Sequence, residues 1–243
     1  AASDVYKRQI YYFDIDSGEN TLFYGEKNPE ENYSLSFVGE ENIPLIRVIN
    51  GSEEENHYII KRDGVWKLAT PKNIASFDYQ DNDAEGLFFL TNFEAPNYRL
   101  VKILFTGEIV EIIPETDLAL KSVSILDDFI ITNSINTDMN SMVEFYSKDG
   151  EVLDYKIPDD IEGTLSSFSM YKDKLRFSTS NFINPTRYID LDLNTLDYTI
   201  VWQDKVSNFN PADYEKTFTY YESKDGTMVP CLLYTSPSPR DDR

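Results

Sequence analysis

The chain has 243 residues, 41% of them hydrophobic, and a formal net charge of −21. These values exclude intrinsic disorder and leave room for one large all-β domain or two smaller ones. A polyanion of this sign repels phosphate backbones and acidic membrane surfaces, so neither nucleic acid nor membrane is an expected partner, and no apolar run approaches the ~20 residues of a membrane helix.

Tyr11–Tyr24 (YYFDIDSGENTLFY) reads as two strands around a turn at Gly18. The same hairpin recurs at Ile59–Thr70 around Asp63-Gly64, at Tyr98–Ile113 around Thr106-Gly107, at Val143–Ile157 around Asp149-Gly150 and at Arg187–Val201 around Asn194-Thr195. Between hairpins lie further strand-like runs: Ile74–Tyr79 and Leu87–Leu90, Leu118–Ile125 and Phe129–Asn133, Leu165–Tyr171 and Leu175–Thr179. The hairpins start near 11, 59, 98, 143 and 187. Four short strands per ~45 residues is the period of a β-propeller blade, whereas solenoid repeats of that length are helical. The expected fold is therefore all-β: about four four-stranded blades plus part of another, over residues 10–204. Phe88–Ile103 (FFLTNFEAPNYRLVKI) and Phe177–Leu193 (FSTSNFINPTRYIDLDL) are two copies of a blade's second strand, a loop holding Pro96 or Pro185, and its third strand. After Trp202 the pattern breaks. Gln203–Tyr214 is polar and loop-like, and Glu215–Pro230 is a new alternating strand pair.

Both ends look foreign to this pattern. Asp4–Gln9 (DVYKRQ) can be encoded by GAT GTG TAT AAG AGA CAG, whose reverse complement, shifted by one base, reads CLLYT, as in Cys231–Thr235. The shared DNA word resembles a transposase-based sequencing-library adapter. Residues 1–9 and 231–243 are therefore expected to be adapter-derived, with 10–230 an internal piece of a longer protein. Cys231, the sole cysteine, then supports no disulfide, metal or redox argument.

Candidate chemistry is sparse. Asp14-Ile15-Asp16 and Asp190-Leu191-Asp192 resemble the start of a calcium loop, but the required sixth-position glycine is Glu19 or Thr195, and the acidic twelfth ligand is Gly25 or Val201. Hairpin turns are the favoured reading. His57, the only histidine, has no Cys or His partner in sequence and is expected at the surface. Arg47, Arg99, Arg176 and Arg187 fall in or beside strands, where they either point into a propeller channel to hold a peptide carboxylate or, more commonly, pair with neighbouring Asp or Glu. Asn32-Tyr-Ser34 and Asn50-Gly-Ser52 fit the glycosylation acceptor pattern, which matters only in a secreted eukaryotic protein. No nucleophile elbow, P-loop or dinucleotide glycine pattern is present. No catalytic residue, cofactor site or metal site is assigned.

Three segments resemble one family. Thr91-Asn92-x-x-Ala95-Pro96-Asn97-Tyr98-Arg99-Leu100 is similar to the TN..(A/S)PNYRL stretch in the propeller of prolyl oligopeptidases. Asp213-Tyr214, followed by Ser223-Lys224-Asp225-Gly226-Thr227-Met228-Val229-Pro230, resembles the segment where that family's chain leaves its propeller for the peptidase domain, and Ser178–Tyr188 resembles a propeller loop of the family. The resemblance implies a serine peptidase in which a seven-bladed propeller caps an α/β-hydrolase domain, admitting short peptides and cutting after proline. Residues 10–204 would be the C-terminal portion of the propeller, and 205–230 a linker and the first strand of the peptidase domain. The catalytic Ser, Asp and His would lie beyond the chain, which alone should be inactive. Its partners would be oligopeptide substrate and its own peptidase domain. A related oligopeptidase cutting after basic residues, or a stand-alone propeller scaffold, are the alternatives.

Overall fold

The computed structural model describes residues 9–25, 30–136, 140–181, 183–210 and 213–235. The elements named among the described residues are strands, in chain order β1 (Ile10–Phe13), β2 (Asn20–Tyr24), β3 (Glu31–Val38), β4 (Ile43–Asn50), β5 (Asn56–Arg62), β6 (Val65–Leu68), β7 (Phe77–Asn82), β8 (Gly86–Thr91), β9 (Arg99–Leu104) and β10 (Ile109–Ile113). The order continues with β11 (Leu120–Ile125), β12 (Ile130–Ile135), β13 (Ser141–Tyr146), β14 (Val152–Leu153), β15 (Thr164–Tyr171), β16 (Lys174–Ser180), β17 (Arg187–Leu191), β18 (Tyr198–Gln203), β19 (Glu215–Glu222) and β20 (Met228–Thr235). Strands β3–β6, β7–β10, β11–β14 and β15–β18 form four antiparallel meanders, each the unit of a propeller blade; β1–β2 and β19–β20 form two-stranded sheets. The expected architecture of about four blades and part of another is thus observed. The chain divides into two compact units, residues 1–117 and 118–243.

In the first unit, hairpin turns set the register. Gly64 and Gly107 adopt positive φ of 77° and 95° at the outer turns of the two blades, a conformation that side-chain-bearing residues rarely take. Two cores follow from strand alternation. One face of β4 and β5 (Leu45, Tyr58, Ile60) packs against β7–β9 (Phe77, Leu87, Phe89, Val101, Ile103). The opposite face (Ile46, Val48, Ile59) packs against Phe23 and Tyr24 of β2. Polar stitches join the two blades as well: Asn56, fully buried, accepts the Phe77 amide with its Oδ1 (3.4 Å), and its own amide donates to the Ala75 carbonyl (3.0 Å).

In the second unit the blades β11–β14 and β15–β18 share a core of Phe129, Ile131, Phe145, Leu165, Phe177 and Leu191. Buried Asn133 on β12 donates from Nδ2 to the Leu165 carbonyl on β15 at 2.7 Å, the counterpart of the Asn56 stitch. The hairpin expected to run to Ile157 is shorter. Strand β14 holds only Val152 and Leu153, because the Tyr155 ring turns in against Phe129 and Phe145, 5.7 Å from each, and takes the chain out of the ladder. Strand β20 pairs with β19 along its whole length, from Met228 opposite Glu222 to Thr235 opposite Glu215. Residues 1–8 and 236–243 of the expected adapter-derived ends, and Phe182 of the second repeat, lie outside the described residues.

Candidate functional site: the Asn92–Leu100 clasp and the strand arginines

The loop between β8 and β9 carries the most distinctive sequence of the chain, and its geometry shows what each residue does. Thr91 Oγ1 donates to the Ser76 carbonyl (2.7 Å), and the Ser76 amide donates to Asn92 Oδ1 (2.8 Å), tying the loop to the start of β7. Two turns follow, closed by Ala95 N–H to Asn92 O (3.1 Å) and Tyr98 N–H to Ala95 O (2.8 Å). Ala95 is 1% exposed, so a larger side chain has no room there. Glu94 and Tyr98 hold positive φ of 52° and 69°, uncommon for residues of their size and maintained only where surrounding contacts over-determine the backbone. Those contacts are present. The Asn97 amide donates to the Glu115 carboxylate, and Asn97 Nδ2 donates to the Thr116 carbonyl at 3.0 Å. Tyr98 Oη donates to Glu54 Oε1 (2.7 Å), reaching the neighbouring blade's loop. Burial and the adjacent Glu54 carboxylate push the Tyr98 hydroxyl above its ordinary pKa, so it stays a donor at any physiological pH. The segment is a clasp between blades.

The four strand arginines separate into two kinds. Arg99 Nη1 bonds Glu111 at 2.8 Å, and its Nη2 lies 3.8 Å from Glu94. Arg176 makes a two-pronged bond to Asp190, Nε to Oδ1 at 2.6 Å and Nη2 to Oδ2 at 2.8 Å, with its guanidinium 3.9 Å above the Tyr171 ring. The Arg176 bond holds the Asp190 carboxyl below the usual carboxylate range, against the opposing effect of burial. These two follow the pairing expectation. Arg47 departs from it. It stands on β4 opposite Ser34 and Tyr58 and forms no ion pair among the described residues; its Nε, like that of Arg99, is buried with no hydrogen-bond partner among them. Arg187 forms no ion pair with a described residue. A cation that sequence inspection did not single out, Lys102 on β9, is the most enclosed of the bridged ones. It is 8% exposed and bridges Asp83 (2.7 Å) and Glu85 (2.6 Å).

His57 corrects an expectation. It is not at the surface but 4% exposed, because β5 is an inner strand of its sheet, flanked by β4 and β6, and its first residue is bridged to Ala75. Its Nδ1–H donates to Asn73 Oδ1 at 2.6 Å, and burial lowers its pKa, leaving a neutral ring. The aspartate pairs resembling calcium loops are occupied otherwise. Asp14 Oδ1 accepts the Asp16 and Ser17 amides, Asp192 Oδ1 accepts those of Asn194 and Thr195, and Asp190 is held by Arg176.

The model of the prolyl oligopeptidase N-terminal β-propeller domain matches residues 2–204 of this chain. The chain belongs to the prolyl oligopeptidase family. The matched span ends one residue after β18. A prolyl endopeptidase of Dictyostelium discoideum is 26% identical over 254 residues, covering 93% of this chain and 33% of the relative. Prolyl oligopeptidase A of Galerina marginata is 25% identical over 250 residues, covering 96% and 34%. The chain thus spans about a third of the length of these relatives. In fold it is similar to a variant of prolyl oligopeptidase B from Galerina marginata bound to a 25mer macrocyclization substrate, with a TM-score of 0.81 at 22% identity over 94% of this chain and 34% of that one. The clasp at Ala95–Leu100 lies within the matched propeller span, and its residues tie one blade to the next.

Proposed function

We propose that this chain is the substrate-screening propeller portion of a serine endopeptidase that hydrolyses short peptides after proline. The observation that carries the reading is the match of the family's propeller model to residues 2–204, over a chain that spans a third of relatives named prolyl endopeptidase. In this reading the blades over 10–204 restrict access to a peptidase domain, residues 205–230 are the linker and first strand of that domain, and residues 1–9 and 231–243 are adapter-derived. The full protein's partners are an oligopeptide and its own peptidase domain. Catalysis comes from a Ser–His–Asp triad outside this chain, in which His serves as general base and Asp orients it. The only histidine here is consistent with that division of labour, since its Nδ1 is committed to Asn73 inside a sheet.

Reading the source gene past the codon for Pro230 tests this directly. We expect a Gly-x-Ser-x-Gly elbow with later Asp and His codons, and an expressed product that cleaves a succinyl-Gly-Pro anilide. Cleavage of arginyl anilides in preference to prolyl ones would reassign the protein to the oligopeptidases that cut after basic residues. A gene that ends without an elbow would sink the enzyme reading altogether.

A further inference from the structure

A crevice of about 410 Å³ opens between the outer ends of blades β3–β6 and β7–β10 in the first unit. That volume lies within the range of small-molecule sites. Its floor is apolar and buried: Ile60, Leu87 and Ile103 are each 5% exposed or less. The strand registers explain this composition. Ile60 pairs with Lys67 and Leu87 with Ile103, so alternation puts Ile60, Arg62 and Lys67 on one wall and Leu87, Ile103 and Phe105 on the other. Apolar side chains fill the inner part, and the cations stand at the mouth.

Two cations and one carboxylate line this crevice. The chain carries 43 Asp and Glu against 22 Lys and Arg, and the strand cations Arg99, Lys102 and Arg176 each hold at least one carboxylate. Arg62 and Lys67, like Arg47 and Arg187, hold none among the described residues. The Arg62 guanidinium carbon instead lies 4.0 Å from the centroid of the Phe105 ring, a cation–π contact that holds the guanidinium at the mouth. One carboxylate, Asp63, also lines the crevice, and Glu85, whose carbonyl accepts the Phe105 amide, has its carboxylate taken up by Lys102.

We propose that the crevice binds a small amphiphilic monoanion, a carboxylate with an unbranched or lightly branched apolar tail. Two cations less one carboxylate leave a single positive charge at the mouth, which suits a singly charged head. A polyanion would meet the repulsion of a chain at −21. The tail replaces water over Ile60, Leu87 and Ile103, at about 0.8 kcal/mol for each methylene buried. Arg62 and Lys67 share the head; Phe105 holds Arg62 in place.

Titration calorimetry of the whole chain with octanoate, acetate and octylammonium separates head from tail. We expect saturable binding of octanoate at least about tenfold tighter than either other probe, the difference that two buried methylenes or one well-placed charge supplies. Arg62→Gln combined with Lys67→Gln should weaken octanoate about tenfold while the thermal melt stays within a few degrees. Lys67→Gln alone, at an exposed position, serves if the double variant does not fold, and should weaken binding by a smaller but measurable factor. No saturable binding of octanoate, equal binding of octylammonium, or undiminished binding by Lys67→Gln overturns the proposal.

Discussion

Strands β8 and β16 hold the same place in their blades, second of four, and begin the two copies of the internal repeat, yet they are buried differently. All six residues of β8, Gly86–Thr91, are buried, and both alternating faces are apolar: Leu87 and Phe89 on one, Phe88 and Leu90 on the other. Strand β16 buries Leu175, Phe177 and Thr179 on one face; on the other, Ser178 is buried while Arg176 and Ser180 are half-exposed. The blade around it shows the same asymmetry, with Tyr188 at 37% and Trp202 at 51% exposure stacked edge-on at 5.7 Å. The lesson is that the run length of apolar residues reports how many faces of a blade are covered along the whole strand. A continuous Leu-Phe-Phe-Leu gives two apolar faces; the alternation in Leu-Arg-Phe-Ser gives one, its other face being covered only at Ser178.

The sharpest test of that contrast is a pair of truncations on β8. Phe89 sits among Tyr58, Phe77 and Tyr79 with ring centroids 5.1 to 6.0 Å away, and Phe89→Ala should cost roughly 3–5 kcal/mol in urea unfolding. Phe88→Ala, on the opposite face, should cost nearly as much. On β16 the equivalent pair should split, with Phe177→Ala costly and Ser178→Ala costing only its bonds to Ser166, about 1 kcal/mol. A Phe88→Ala variant as stable as wild type would mean that only one face of β8 matters.

The next effect in size concerns how each second strand is approached. A Cβ on Gly86 would lie 2.4 Å from the Ile103 carbonyl oxygen, and one on Gly163 would lie 2.5 Å from that of Ser180. Both obstacles are backbone, so the sheet itself must move. Gly86→Ala and Gly163→Ala should each destabilise by about 1–3 kcal/mol, Gly163 more steeply because its φ of +113° is closed to alanine. Equal urea midpoints for wild type and Gly163→Ala would show that the loop entering β15 relaxes freely.

Smaller still is the ion pair on the half-exposed face of β16. Asp190 is held below its ordinary value of 3.8 by Arg176. The pair's contribution is therefore fully present above that value and is lost as pH falls through the folded-state one. Arg176→Gln should lower the melting temperature most at neutral pH, and the gap to wild type should narrow as pH falls below 3.8 toward the folded-state value. A gap independent of pH would assign the loss to packing on Tyr171 instead.

Much of this architecture was legible in the sequence, for local reasons. Asp63-Gly64, Thr106-Gly107 and Asp149-Gly150 place their turns because a tight hairpin needs a residue tolerant of positive φ. Less legible were the features decided by neighbours. The extent of β14 depends on Tyr155 finding Phe129 and Phe145, contacts invisible to a reading of alternation. The strands Glu31–Val38 and Ile43–Asn50 are weakly marked in sequence, since Ser34, Ser36 and Asn32 dilute the first, and Pro44 and Arg47 interrupt the second. At the candidate site, two of the four arginines pair as expected, because cross-strand distance follows from register. Arg47 and Arg187 could not be sorted without knowing which carboxylates fold beside them.

His57 gives the smallest effect and the clearest contrast with Asp190, since burial rather than a partner charge governs it. Its folded-state pKa lies below the ordinary 6.5 because burial disfavours the imidazolium, while the Asn73 bond offsets only part of that. The unfolded chain therefore binds the proton first. The stability contributed by the neutral ring is complete above 6.5 and is lost as pH falls through that value toward the lower folded-state one. Wild type should lose stability between pH 7 and about 5.5, a window in which the carboxylates Asp83 and Asp190, both shifted below 3.8, remain ionised and contribute no change. His57→Gln, which retains a side-chain N–H for Asn73, should flatten the melting temperature across that window at a modest cost at pH 7. If the slope survives the substitution, its source is another group, and the inner position of β5 has no bearing on acid sensitivity.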